Sequence, residues 1–290
     1  MADSRQCTLA RSARVCGYGL FHGIDVVLTL LPAPEYHGIV FQRVDLTSRV
    51  LSPARVEYVL RQPRRTVLSR LGAQVETVEH VLAALAGLRI DNCIVQLNAP
   101  ECPNGDGSAQ VFVEAIQQAG VAEQTAPASE LPVGQSIDIE DNETGARWAA
   151  RSTTANELTI AYELTDPYPG CDRQALSLTV TPEVFLTELA TARTFVRESD
   201  VQSLRAMGLG RRATPHDLLV FNDQGQPLDN ALRRPDECVR HKILDCIGDF
   251  ALAGVRLSGQ FDGLRTGHRH NHELIRRIKG TETLQRRQTA

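Results

Sequence analysis

Hydrophobic and polar positions fall into short blocks along this chain, and their spacing predicts its elements. DVVLTLLPA (25–33) and HGIVFQRVDL (37–46) are rich in Val, Ile and Leu and bounded by Gly or Pro, which predicts strands. NCIVQLNAP (92–100) predicts another. Between them TVEHVLAALAGL (77–88) changes to helical period: at about 100° per residue Val78, Val81, Leu82 and Leu85 share one stripe. The turn ECPNGDGS leads into a second helix with Val111, Phe112, Ala115 and Ile116 at helical spacing, and Ser108 is placed to cap it. Gly120 to Gln135, rich in Pro, Ala, Ser and Gly, breaks both periods and reads as a linker. Strands then recur around Ile137, Trp148, Leu158–Leu164 and Leu176–Val180, followed by helices from about Val201, Asp236 and His270. Strands followed by helices, twice over, predict an α+β protein of two similar domains, residues 1–122 and 131–284.

Composition narrows this only a little. A net charge of −4 with interspersed signs gives no basic surface, so nucleic acid is excluded as a partner of first resort. No apolar run reaches the roughly 18 residues of a membrane span, and the N-terminus has no apolar signal core. The seven cysteines, including Cys171, are scattered without a CxxC, which favours reduced thiols and a cytoplasmic protein.

Three segments could carry chemistry. In TVEHVLAALAGL, His80 points nearly opposite the apolar stripe and Glu79 lies at its edge, flanked by the small Ala83 and Ala84. Alone, this reads as a solvated pair on a wet face. In DECVRHKILDCIGDFALAG (236–254), Val239, Ile243, Ile247 and Phe250 form the buried stripe, while His241, Asp245 and Asp249 line up at i, i+4, i+8 on the other face. An imidazole and a carboxylate one turn apart suit a small cation, but also a surface ion pair worth a few tenths of a kcal/mol. Catalytic zinc usually takes three protein ligands, and His80 could be the third. Cys238 and Cys246 near His241 raise a Cys/His site as an alternative, though neither shares its face. In RTGHRHNHELIRRI (265–278), His268 follows Gly267 on a turn before a helix, and His270 and His272 read as solvated on its first turn.

Together and in this order, GYGLFHG, LTLLPAP, TVEHVLAALAGLRIDN, DGSA, ARTF, DECVRHKILDCIGD and SGQFDGLRTGH resemble the zinc-dependent UDP-3-O-acyl-N-acetylglucosamine deacetylases of lipid A biosynthesis, over nearly the whole chain. The resemblance implies two α+β domains, each a β-sheet layered with helices, with the helix layers facing each other and the active site between. It implies one Zn2+ per chain on His80, His241 and Asp245, with Glu79 as general base and His268 as general acid. Zinc would acidify a water and polarise the acetyl carbonyl, Thr194 would help hold the oxyanion, and Asp249 would keep the His268 imidazolium charged. Phe195, Asp200, Lys242 and Arg265 are implied substrate contacts, with Arg265 standing where the family usually has Lys. The implied substrate is a UDP-linked acylated amino sugar, met in the cytoplasm with at most peripheral membrane contact.

Some family features are altered. Phe21-His22 replaces the usual Leu-His-Ser/Thr-Gly run, Asn104-Gly105 an apolar pair, and Val111 a Pro. Val196–Ser199 and Arg211–Asp217 bring charged residues into the insert that forms the family's acyl passage. These changes raise a second reading, a divergent zinc amidohydrolase acting on another N-acetyl sugar. A third, a non-catalytic binding module, would require that the protein hold no stoichiometric zinc.

Overall fold

A computed structural model describes residues 4–165 and 173–289; Cys171 lies outside the described residues. Two mixed sheets with helices packed between them make up most of the molecule, and the α+β expectation holds. The first sheet runs Ala13–Tyr18, Asp25–Pro32, Cys93–Leu97, Ile39–Arg43, Leu51–Pro53, antiparallel except where Ile39–Arg43 lies parallel to Cys93–Leu97. Asp25–Pro32 shows why the pattern was legible, since its burial alternates strictly, with Val26, Leu28 and Leu30 inward. Register places Leu30 and Phe41 beside Val95, and all three are buried. Each such side chain contributes roughly 1.5–3 kcal/mol by leaving water.

The second sheet runs Ile137–Asp141, Ala146–Arg151, Arg256–Leu264, Leu158–Leu164, Gln174–Thr179, with Glu130–Pro132 paired parallel to Arg256–Leu264. Its central strand, Arg256–Leu264, had no signature in the hydrophobic pattern. Gly263 there meets the Trp148 ring, where an added Cβ would lie 2.7 Å from a ring carbon, so the position admits only hydrogen. The Gly120–Gln135 linker expectation is corrected. Val121–Pro127 pairs antiparallel with Arg5–Leu9, and Glu130–Pro132 joins the second sheet. Backbone pairing needs no apolar alternation, so an exposed edge strand can look like a linker.

Six helices complete the described fold: α1 (Glu79–Gly87), α2 (Gln110–Ala119), α3 (Pro182–Val184), α4 (Glu198–Ala206), α5 (Glu237–Phe250) and α6 (His268–Thr289). None is long and apolar enough to cross a membrane. The N-cap of α2 is Ala109, without a side-chain cap; Ser108, expected there, lies one residue earlier, and its Oγ accepts from the Gln110 backbone N–H at 3.2 Å. The helices α1 and α5 pack against each other between the sheets, and they approach closely at Gly248, where an added Cβ would lie 2.1 Å from the Glu79 carbonyl oxygen. This contact explains a departure from the helical wheel. Glu79, His80, Ala83 and Ala84 are as buried as the Val and Leu stripe, because α5 covers the face a wheel leaves blank. The six described cysteines form no disulfide.

Candidate active site

The first turn of α1 is set by the residue before it. Thr77 sits in the left-handed region at φ 57°, strained for a β-branched residue at about 1–3 kcal/mol. Its hydroxyl donates to the buried Glu101 carboxylate at 3.2 Å. The sharp turn sends the chain from the strand Ala73–Glu76 straight into α1, so Glu79 and His80 open the helix. On α5 the anchor is Glu237, whose buried carboxylate takes the Arg193 guanidinium at 2.8 and 3.0 Å and the Arg193 backbone N–H. That pair seats ARTF beside α5. His241 Nδ1 then donates to the Ala192 carbonyl at 3.0 Å, leaving Nε2 unprotonated.

His80, His241 and Asp245 converge. Their ligand atoms lie within 4.8 Å of one another, all buried. His241 Nε2 is 3.3 Å and His80 Nε2 3.7 Å from Asp245 Oδ1. Asp245 Oδ1 is buried without a hydrogen-bond partner, while Oδ2 accepts from Lys242 Nζ at 2.7 Å. A buried carboxylate oxygen left bare between two imidazole nitrogens is costly unless a cation fills the gap. Two atoms each bonded to one tetrahedral zinc lie roughly 3.3 Å apart, near the separations here. The charge states agree. Burial, reinforced by His241, drives the His80 imidazole down to about 3, so it is neutral and a lone-pair donor. Burial likewise lowers His241. Burial disfavours the Asp245 carboxylate, but its surroundings, with the Lys242 ammonium bonded to Oδ2, outweigh it and hold the group well below its usual range. The cysteine alternative is corrected: among the described residues, the three-ligand group contains neither Cys238 nor Cys246, both buried free thiols.

Around this trio stand two groups of opposite character. Burial raises the Glu79 carboxyl to about 7. His268, the first residue of α6, holds Nε2 3.9 Å from Glu79 Oε1 and donates from Nδ1 to Asp249 Oδ2 at 2.7 Å. Burial opposes charge on that ring, but Asp249 outweighs it and lifts the imidazole to about 9. The fully buried Asp249 carboxylate also accepts from Thr66 Oγ1 at 2.6 Å, Asn271 Nδ2 at 2.8 Å and His272 Nε2 at 3.2 Å. Asn271 is fixed in turn by the Trp148 indole at 3.0 Å. His272 is thus not solvated but packed under Asp249. It sits four residues after His268, one helical turn, so both rings face the same carboxylate. His270 is half-buried against Asp141 at 3.0 Å. Thr66, Asn271 and His272 were not anticipated as site residues. Only the His268/His272 spacing could have signalled one of them.

A cavity of about 1330 Å³ opens from these groups. Thr194, Phe195, Lys242 and Arg265 all line it, with Phe195 edge-on to His241 at 6.2 Å. Asp200 is not among the lining residues; its carboxylate takes Arg64 at 2.9 Å. Part of the lining is an apolar cluster of Val196, Leu218 and Val220 with Leu20, Val201 and Leu228 against it. The charged residues of the altered insert therefore do not remove its apolar surface. Glu198 and Arg205 do reach the cavity, but Arg211 and Arg212 are exposed and lie outside its lining. Another part of the lining is polar, with Glu143, Thr144, Arg265, Arg269 and His270.

A sequence model of the UDP-3-O-acyl N-acetylglycosamine deacetylases matches residues 6–280. The chain belongs to this deacetylase family. Among similar proteins, one from Myxococcus xanthus (strain DK1622) is 41% identical over 273 residues, covering 94% of this chain and 86% of that protein. One from Hahella chejuensis is 39% identical over 274 residues, covering 94% and 90%. One from Xanthomonas oryzae pv. oryzae (strain PXO99A) is 36% identical over 275 residues, covering 95% and 90%. Each is named UDP-3-O-acyl-N-acetylglucosamine deacetylase.

Proposed function

We propose that this chain hydrolyses the N-acetyl amide of a UDP-3-O-acyl-N-acetylglucosamine, releasing acetate, in lipid A biosynthesis. His80, His241 and Asp245 would hold one zinc ion. In this reading residues 1–122 form the domain carrying Glu79 and His80, and residues 131–284 the domain carrying His241, Asp245 and His268. The observation that carries the proposal is the bare, buried Asp245 Oδ1 facing two imidazole nitrogens, with a neutral-range carboxyl and a cationic imidazole beside it.

When bound, zinc supplies Lewis acidity, which acidifies a water and polarises the acetyl carbonyl. The chain's own groups handle the protons. Glu79, next in sequence to a ligand, accepts the proton of the attacking water, and a carboxyl near 7 suits a base working near neutrality. The Thr194 hydroxyl, at the cavity wall, donates to the oxyanion. His268 has its Nδ1 proton engaged by Asp249, so its Nε2 proton is the one presented to the departing sugar amine. Donation from Nε2 leaves a neutral ring still tied to Asp249. Lys242 neutralises Asp245 through Oδ2 and lines the cavity, within reach of sugar hydroxyls. Phe195 gives a face for the sugar, and the Arg265 guanidinium suits the diphosphate. Asp200 would meet the nucleotide while holding Arg64 through Oδ1. The apolar part of the lining supports an acylated substrate.

The test is acetate release from the nucleotide sugar with and without its 3-O-acyl group, with metal content measured on the same sample. Turnover of the acylated form by zinc-loaded protein is expected. Preference for the unacylated sugar would favour the divergent amidohydrolase, and no turnover by metal-replete protein would overturn both.

A further inference from the structure

We propose that Thr66 is a positioning residue whose hydrogen bonds fix the Glu79 base and the Asp249–His268 acid in one relative geometry. The inference rests on the deacetylase reading above. Thr66 is fully buried just ahead of the strand Val67–Arg70, whose pairing with Val59–Leu60 and Ala73–Glu76 fixes its backbone. Its N–H donates to Glu79 Oε2 at 3.0 Å, leaving Oε1 as the oxygen nearer His268. Its carbonyl accepts from the Val78 N–H at 3.3 Å, so its backbone grips the start of α1 twice.

The hydroxyl faces the other way. It lies 2.6 Å from Asp249 Oδ1, 3.0 Å from His272 Nε2 and 3.3 Å from His268 Nδ1. A carboxylate can only accept, so the single hydroxyl proton goes to Asp249, and the His272 Nε2 proton is shared between the Thr66 oxygen and Asp249 Oδ1. With His268 Nδ1 donating to Asp249 Oδ2, Asp249 is held from both oxygens. One side chain of the first half thus reaches across to the second half's acid, while its own backbone holds the base. Base and acid must act on the same amide, and small errors in their separation cost large factors in rate. Gly248 sets how closely α1 and α5 approach; Thr66 sets the orientation of the two groups within that contact.

The experiment compares Thr66→Val and Thr66→Ser as full-length, zinc-loaded protein on the acylated nucleotide sugar. Valine keeps the shape and the N–H but lacks the hydroxyl. Its loss removes a hydrogen bond to a charged group, so kcat should fall about 10- to 100-fold, with KM within about twofold of the unsubstituted enzyme. Zinc stoichiometry should not change, and Thr66→Ser should restore most of kcat. Undiminished kcat in Thr66→Val overturns the proposal, as does Thr66→Ser being as impaired as Thr66→Val, since packing of the methyl would then be the cause. If the valine protein does not fold, Thr66→Ala against Thr66→Ser makes the same comparison. An inactive unsubstituted enzyme refutes the deacetylase reading, whereas active enzyme with an undiminished valine variant refutes only the role of Thr66.

Discussion

Replacing Asp249 by Asn tests the acid assignment most directly. The substitution keeps the shape, removes the charge and turns an NH2 toward a site where Asp249 receives donors from Thr66, His268, Asn271 and His272. His268 is lifted from its ordinary 6.5 to about 9 against its own burial, chiefly by Asp249. At about 1.36 kcal/mol per unit, that is roughly 3 kcal/mol favouring the cation. Without the carboxylate the ring returns to or below 6.5. At pH 7.5 the cationic fraction then drops from nearly all to about a tenth, so protonation alone lowers the rate about tenfold. Misorientation of the ring adds to the loss. The assay is kcat/KM for acetate release across pH 5.5 to 10, with the alkaline limb fitted for variant and unsubstituted enzyme and their ratio followed across the range. The alkaline limb should move from near 9 to 6.5 or lower, and the ratio should recover at low pH. An alkaline limb that stays near 9, or a ratio equal at low and high pH, refutes the argument. Stability follows the same sign. A raised imidazole contributes fully below 6.5 and loses its contribution as pH rises through about 9. The melting temperature of the unsubstituted enzyme should therefore fall between those values, and that of Asp249→Asn should fall less, by the share left to Glu79, which is raised to about 7.

Further outcomes follow from the same geometry. Glu79→Gln keeps an acceptor for the Thr66 N–H but cannot take a proton; kcat should fall about 10²- to 10⁴-fold with bound zinc unchanged, measured by turnover and elemental analysis together. His80→Ala and Asp245→Ala should instead lose metal, and a chelator should silence the unsubstituted protein until zinc is restored; full metal content in either variant would remove that residue from the ligand set. Gly248→Ala would place a Cβ 2.1 Å from the Glu79 carbonyl oxygen, so α1 and α5 must separate; denaturant melts should show about 1–3 kcal/mol of destabilisation, with kcat falling alongside.

The family's motifs were readable as residue types at spacings. Strict alternation in Asp25–Pro32 and helical period in α1 and α5 encode which face turns inward, and those periods are local properties of the chain. Four-residue spacing placed His241 and Asp245 together, and it could have placed His268 and His272 together as well. Other features had no local trace. The Arg256–Leu264 strand carries Gly263 where the Trp148 and Tyr162 rings need room, and a glycine has no hydropathy to reveal it. Val121–Pro127 is a strand because Arg5–Leu9 lies beside it, through backbone bonds that leave no mark on side-chain pattern. Whether Glu79 and His80 faced water or a partner helix was undetermined by their own helix, since a wheel shows what one face carries and never what covers the other. The answer came from α5, more than 150 positions away in sequence, approaching closely enough at Gly248 to bury both. Thr66 is the extreme case. A lone threonine after two arginines carries no signal, and its contact with Asp249 spans 183 positions. Sequence alone determined the chemistry available: three candidate ligands, a base and an acid. Only tertiary packing decided which are dry, which are charged and how far apart they stand, because burial and charge coupling depend on groups brought together from remote parts of the chain.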